Sequence, residues 1–148
     1  MLLSRAPKKG FTLIEVLLVI AIIAILAAIV ILAINPPRNI SSANNAQRWS
    51  NINTILNAVH QYAIDNRGQI PSTITTVSTE ICNTSASCAG LIDLSVLTDQ
   101  ERYILRIPKD PTSSSANGSG YFINKDAYGR TTVNAPFAEI GDTISVSR

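Results

Sequence analysis

The chain has 148 residues, 46% of them hydrophobic and only 15% charged, and its formal net charge is +2. This length leaves room for one small domain beside a membrane segment. A net charge so close to zero gives no indication of a nucleic-acid partner held by charge alone. The single histidine, with no zinc-ligand spacing and no phosphate-binding glycine loop, argues against an enzyme.

Residues 8–15 begin the most distinctive stretch, which reads Lys-Lys-Gly-Phe-Thr-Leu-Ile-Glu and continues as an apolar run to Ile34. Seventeen of the 24 residues from 11 to 34 are Phe, Leu, Ile or Val, and Glu15 is the only ionisable one. As a helix this run would be about 36 Å long, enough for a hydrocarbon core of roughly 30 Å. A lone carboxylate in such a run is costly and predicts a functional role.

This stretch resembles the class III signal of type IV pilins and of type II secretion pseudopilins. The resemblance implies that a prepilin peptidase cuts the Gly10–Phe11 bond and methylates the new amino group of Phe11. It also implies that residues 1–10 are a cleaved leader and residues 11–34 a transmembrane or filament-core helix. Without the leader the chain keeps nine basic and ten acidic residues, a net charge of −1.

The orientation in the membrane follows from the basic residues of the leader, which are Arg5, Lys8 and Lys9. They are expected to stay cytoplasmic, so that residues 35–148 lie outside as the head. An ordinary secretory signal would have a shorter apolar core, followed by a cleavage site of small residues. A plain uncleaved signal anchor is the alternative, and it explains the apolar run but not the Gly-Phe-Thr-Leu-Ile-Glu motif.

Pro36 and Pro37 predict a kink or a short unwound stretch after the apolar run. The pair can also open a new helix, with Asn35 or a nearby residue as its cap. A second helix is predicted over about residues 38–67, with Gly68 as the stop signal. Its apolar face has helical spacing and contains Trp49, Ile52, Ile55, Leu56, Val59, Tyr62 and Ala63. The opposite, polar side contains Gln47, Arg48, Asn51, Asn57, Gln61 and Asp65.

Cys82 and Cys88 are the only cysteines, in a segment rich in Ser and Thr that is read as a loop. Outside the membrane such a pair should be oxidised to a disulfide. The alternative is a pair of free or metal-bound thiols, although this loop lacks the His or acidic cluster that would complete a metal site. Many type IV pilins close a C-terminal loop with their disulfide, and the different position here means that the function of that loop is not transferred.

Three strands are predicted near the C-terminus, at residues 121–125, at residues 130–135 and within residues 140–147. They would form a three-stranded antiparallel sheet, in about residues 120–148, that covers the amphipathic helix. The expected fold is α+β. It is the pilin fold that the resemblance also implies: a long kinked N-terminal helix whose C-terminal half packs on this sheet.

Residues 105–111, Leu-Arg-Ile-Pro-Lys-Asp-Pro, resemble the Leu-Pro-x-Asp-Pro element of many pseudopilins. Major pseudopilins of type II secretion bind calcium near their C-terminal loops, and Asp110, Asp126 and Asp142 are the carboxylates considered for such a site here. Their spacing does not match a calcium loop, and aspartates in turns are usually turn formers. No cofactor is therefore expected, with calcium as the less favoured interpretation.

A small basic run is formed by Arg102, Arg106 and Lys109. The favoured interpretation is a solvated face, or ion pairs with Asp99 or Glu101. Binding of DNA is the less favoured interpretation of the same residues.

The resemblance and the residues together predict a structural subunit of a type IV pilus-like filament. After cleavage, the Phe11 amino group of one subunit would pair with Glu15 of a neighbour, which removes two costly lone charges and fixes the axial register. The alternative within this class is a pseudopilin of a type II secretion or competence system. The alternative of another class is a membrane-anchored binding or sensor domain with an intact N-terminus.

The expected partners are other copies of the chain, the prepilin peptidase and an inner-membrane assembly platform. Before assembly the chain is expected to cross the inner membrane once, with its N-terminus in the cytoplasm. Afterwards it would belong to an extracellular or periplasmic filament.

Overall fold

The computed structural model describes residues 10–83 and 87–148, so most of the predicted leader lies outside the described residues. The chain divides into two compact units, Met1–Asn39 and Ile40–Arg148. Its helices are α1 (Leu13–Ile34), α2 (Pro36–Asp65) and α3 (Ser95–Thr98), the last followed by a 3-10 turn at Asp99–Glu101. Its strands are β1 (Thr79–Cys82), β2 (Gly118–Lys125), β3 (Thr131–Ala135) and β4 (Ile144–Ser147).

The break between α1 and α2 is one residue wide. Asn35 has φ 42° and ψ 67°, the left-handed conformation that asparagine tolerates better than most residues. The proline ring of Pro36 disfavours right-handed helical geometry at Asn35, but proline fits well at the first position of the new helix. The side-chain amide of Asn39 donates to the carbonyl oxygen of Ile34 at 2.7 Å, which satisfies one acceptor that the break leaves free.

The four strands form one antiparallel sheet in the order β1-β2-β3-β4. The α+β class is confirmed, and the three predicted strands are present as β2, β3 and β4. The predicted count of three is one strand too low, because β1 pairs with the far side of β2. Its Thr-Glu-Ile-Cys sequence is short and has no clear apolar alternation, so the neighbouring β2 strand, more than its own sequence, makes it a strand.

The hydrophobic core of the second unit combines one face of α2 with one face of the sheet. Its fully buried residues include Ile52, Ile55, Leu56, Val59, Tyr121, Ile123 and Val133. The predicted faces of α2 need two corrections, because Arg48 is completely buried and Trp49 is 42% exposed. Arg48 lies one turn before Ile52 and two turns before Ile55, so it belongs to the buried stripe despite its charge.

Candidate functional site

The predicted cleavage bond lies just before the first turn of α1. Gly10, Phe11 and Thr12 are neither helical nor in a strand, and the Phe11 side chain is 89% exposed. The Gly10–Phe11 peptide bond is therefore outside the hydrogen-bonded helix, and a peptidase could reach it without unwinding α1.

Glu15 caps the helix in which it lies. Its Oε2 atom accepts hydrogen bonds from the backbone N–H of Thr12 at 2.7 Å and from the Thr12 hydroxyl at 2.8 Å. In return, the Glu15 N–H donates to the Thr12 hydroxyl at 3.3 Å, which completes a capping box. Within residues 10–83 and 87–148 no cation pairs with this carboxylate. Its charge is thus met only by local dipoles.

The surface of α1 is apolar on every side. The seventeen large apolar residues from Phe11 to Ile34, sixteen of them in α1, are all between 49% and 89% exposed. Leu13–Ile34 has a mean hydropathy of 3.6 and is long enough to cross a membrane by length and composition. A surface that is hydrophobic all round is typical of a helix with apolar surroundings, such as lipid or other chains.

A buried ion pair lies at the N-terminal end of the α2 core face. The guanidinium of Arg48 binds the Asp110 carboxylate in a bidentate manner, with Nε to Oδ2 at 2.7 Å and Nη2 to Oδ1 at 3.1 Å. Both side chains have zero exposure. Arg48 also donates to the Thr112 hydroxyl at 2.6 Å and to Asn45 Oδ1 at 2.9 Å. The pair is therefore fully hydrogen-bonded, as a buried charge requires.

The same network ties the β3–β4 connection to α2. Asn45 donates to the Glu139 carbonyl and to the Asp142 carboxylate, each at 2.8 Å, and accepts from the Glu139 N–H at 2.9 Å. The Glu139 carboxylate lies 3.6 Å from the Arg48 guanidinium and accepts hydrogen bonds from Asn44 at 3.3 Å. Asn45 and Arg48 thus hold the C-terminal segment and the 110–113 loop on one helix turn.

The pKa directions agree with this network. Burial opposes ionisation of Asp110, but hydrogen bonds from Arg48 and from the Thr112 and Ser113 amides outweigh it, so the pKa of Asp110 is lowered. The hydrogen bond to Asp110 raises the pKa of Arg48. The pKa of Glu139 is lowered, mainly by a hydrogen bond from the Ser41 hydroxyl. All three groups are therefore charged at neutral pH.

Gly120 allows the 110–113 loop to approach this network. It has φ +82°, and an added Cβ would lie 2.6 Å from the Cβ of Asp110 and 2.7 Å from the carbonyl oxygen of Ser113. Only glycine combines this backbone conformation with so close a contact.

The three aspartates considered for calcium do not meet in one site. Asp110 binds Arg48, Asp142 binds Asn45, and Asp126 accepts from the backbone amides of Tyr128 and Arg130 in the β2–β3 turn. Among the residues that the structure describes, no group of three or more His, Cys, Asp or Glu side chains could hold a metal ion.

The predicted disulfide is confirmed. Cys82, the last residue of β1, is bonded to Cys88, with a Cα–Cα distance of 5.4 Å. The bridge closes the connection after β1, and part of the loop that it encloses, residues 84–86, lies outside the described residues.

The basic run is divided between two environments. Arg102 pairs with Asp65 at 3.1 Å and lies over the Tyr103 ring, 5.4 Å from its centroid. Arg106 and Lys109 are exposed and make no ion pair in the part of the chain that the structure describes. The predicted pairs with Asp99 or Glu101 are absent there as well.

The sequence interpretation missed Arg48 and Asn45 as members of a buried network. The available signal was position, since Arg48 continues the apolar stripe of α2 toward its N-terminus. Its partner Asp110 could not be identified from the sequence, because the two residues are 62 positions apart.

The exposed apolar helix with one capping carboxylate, joined to a compact α+β head, defines a class of subunit whose N-terminal helix needs partners. Residues 5–34 match the family model described as the prokaryotic N-terminal methylation motif. The chain therefore carries the class III signal of the type IV pilin and pseudopilin family, as its sequence predicts, and its fold is consistent with a pilin. Neither the curated proteins nor the solved structures gave a match.

The motif supports a type IV pilin-like or pseudopilin subunit, and it points to a structural family. In this family the motif generally implies processing by a prepilin peptidase and polymerisation into filaments. The head, Ile40–Arg148, lies outside the match.

Proposed function

We propose that the chain is the structural subunit of a type IV pilus-like filament. It is made as an inner-membrane precursor with its N-terminus in the cytoplasm, processed at Gly10–Phe11 by the prepilin peptidase, and N-methylated on Phe11. The observation that carries the proposal is an apolar helix with no buried residue and a carboxylate in its first turn. A simple anchor needs the first of these features, but beyond the capping box it has no use for a charged carboxylate in an apolar run.

Assembly follows from the charges that cleavage creates. The new amino group of Phe11 lies four residues before Glu15, and each charge alone is costly in an apolar filament core. When the amino group of one subunit meets Glu15 of the next, both costs fall and one axial register is favoured. The contact joins two different surfaces, so it repeats as an open helix and does not close.

The direct test is electron microscopy of fibres sheared from cells that produce the chain together with a prepilin peptidase and an assembly platform. Antibody against the head should label long surface fibres. Abundant processed protein without labelled surface fibres would contradict the pilus proposal.

The second candidate is a pseudopilin of a type II secretion or competence system. The resemblance of residues 105–111 to the pseudopilin element supports it, and the structure shows that this element supplies Asp110 to the Arg48 pair. A pseudopilin would be processed at the same bond but remain in periplasmic filaments. Labelled material that is retained in the periplasm, with loss of secretion or DNA uptake in a deletion strain, would favour this candidate.

We also propose that the head folds without a metal ion. The Arg48 guanidinium supplies the positive charge for Asp110 and Glu139, and Asp126 is used by its own turn. Addition of a chelator or of excess calcium to the detergent-solubilised chain should leave its thermal midpoint unchanged. A clear rise in the midpoint with calcium would contradict this proposal.

A further inference from the structure

A groove on the head carries two cations and no acid. It lies between α2 and residues 104–109, has a volume of about 550 Å³, and is lined on its two sides by Gln47, Asn51, Thr54 and by Leu105, Arg106, Lys109. None of the residues that line it is acidic. We call it the basic groove. Arg106 and Lys109 have no ionic partner among the described residues, so their charge is available to a ligand.

A surface of opposite charge lies a few residues before the basic groove in the sequence. Asp99 and Glu101, in the turn after α3, are exposed and also lack ionic partners in the described part of the chain. We call Asp99–Glu101 the acidic turn. Gln100 and Glu101 have positive φ values of 50° and 56°, a conformation that non-glycine residues adopt only when their surroundings enforce it. The turn is therefore a fixed projection, with two carboxylates at its tip.

The basic groove and the segment after the acidic turn are hydrogen-bonded to different parts of α2. The Asn51 side chain donates to the Lys109 carbonyl at 3.2 Å, which fixes one wall of the basic groove. Asp65 accepts from Arg102 at 3.1 Å and from the Tyr103 hydroxyl at 3.0 Å, which fixes the segment after the acidic turn. At 1.5 Å per residue, these two anchors lie about 21 Å apart along the helix axis. Among the described residues, neither acid of the turn forms an ion pair with Arg106 or Lys109.

We propose that the basic groove binds the acidic turn of a second copy of this chain, displaced along α2. The proposal rests on the filament function proposed above. Two fixed surfaces of opposite charge and different height are complementary only between staggered copies. A contact between unlike surfaces leaves a free groove and a free turn at its two ends, so it propagates along a filament. It would set the spacing of heads outside the apolar core.

Charge reversal on full-length chains tests this contact. Arg106→Glu/Lys109→Glu should lower the ratio of sheared fibre to total subunit roughly ten-fold, because it places like charges opposite each other. Asp99→Lys/Glu101→Lys should lower it to a similar extent. The chain that carries all four substitutions should recover most of the wild-type ratio, which a purely structural role of either surface would not allow.

The matched control is Arg67→Glu/Lys125→Glu, which changes the net charge equally at two other cations without ion pairs among the described residues. It should assemble like the wild type. Arg106→Gln/Lys109→Gln removes attraction without adding repulsion and should have a smaller effect, of roughly three-fold.

Fibres from the basic-groove reversal at the wild-type ratio would overturn this inference and leave the filament function intact. The inference would also be overturned if the chain that carries all four substitutions did not recover the ratio of sheared fibre to total subunit. If groove reversal instead abolished retention of a duplex DNA oligonucleotide by the fibres, while acidic-turn reversal had no effect on assembly, the groove would serve a polyanion and the self-contact would be wrong. A wild-type chain that is neither processed nor assembled would overturn both proposals.

Discussion

The head and the N-terminal helix each contain a carboxylate in apolar surroundings, and the two carboxylates differ in how their charge is satisfied. In the head, Asp110 is completely buried, and a bidentate arginine with two backbone amides satisfies it. In α1, the Glu15 carboxylate is hydrogen-bonded to Thr12 alone among the described residues, and the side chains around it are exposed and apolar. The comparison indicates that the buried charge of the head is satisfied within the chain, whereas the apolar surface of α1 is left exposed by the described residues.

The two regions also differ in how much large apolar side-chain surface they leave exposed. Complete burial of one large aliphatic side chain contributes about 1.5–3 kcal/mol. Burial of the sixteen exposed large apolar side chains of α1 by lipid or by neighbouring subunits would therefore contribute tens of kcal/mol. The core residues of the head are already buried within the chain, so the free energy of their burial already stabilises the fold. The proposed membrane precursor and the proposed filament would each bury this apolar surface of α1.

The largest effect, on fibre assembly, is expected from removal of the Glu15 carboxylate. Glu15→Val should still insert into the membrane but should yield almost no fibres when it is the only subunit, because no carboxylate meets the Phe11 amino group. Fibre yield after shearing is the measurement. Glu15→Gln is the matched control, since glutamine can retain the capping box without the charge. A glutamine variant that assembles normally would assign Glu15 to capping alone.

The buried Arg48–Asp110 ion pair should instead control the stability of the head. Arg48→Met leaves Asp110 buried without its partner and should cost about 3–5 kcal/mol of the free energy of unfolding. Trp49 is the only tryptophan and lies on the head, so its fluorescence in detergent reports the urea midpoint. Arg106→Met, at an exposed cation, should change the free energy by about 0.5 kcal/mol or less. Equal effects of the two substitutions would contradict the internal role of Arg48.

The disulfide should contribute less than the ion pair. Replacing Cys82 and Cys88 together by serine should lower the free energy of unfolding by about 2 kcal/mol, because the bridge closes a short loop. The same urea titration measures it, and reduction of the wild-type chain should give a matching loss. A wild-type chain that is unaffected by reductant would show that the bridge constrains nothing important in the unfolded state.

The smallest effect is a pH dependence. The pKa of Asp110 is lowered from its ordinary value of 3.8, so the folded state binds fewer protons than the unfolded state in acid. Stability from this group is present above about pH 4 and is lost as the pH falls through the lowered pKa. Asp110→Asn should flatten this acid loss in thermal midpoints, whereas Asp99→Asn should not. An unchanged acid loss in Asp110→Asn would assign it to other carboxylates, such as Glu139.

The features that could be predicted from the sequence are those that depend on residues close together in the chain. The apolar run, the signal motif and the α2 stripe are local patterns, and helix positions follow from them within a few residues. Strand β1 and the Arg48–Asp110 pair depend on partners far away in the chain, at Ile123 for Thr79 and across 62 positions for Arg48. A charged residue on a helix predicts a solvent-exposed position, and only the contact with Asp110 shows that Arg48 is buried.

The central claim is that α1 becomes an assembly element when the Gly10–Phe11 bond is cut. Intact mass analysis of the protein purified from cells with an active prepilin peptidase tests it most directly. The account predicts a chain that begins at Phe11 and carries one added methyl group, and an unprocessed chain from cells without the peptidase. A chain of 148 residues that keeps its N-terminus in both strains would contradict the account and leave α1 as a plain anchor.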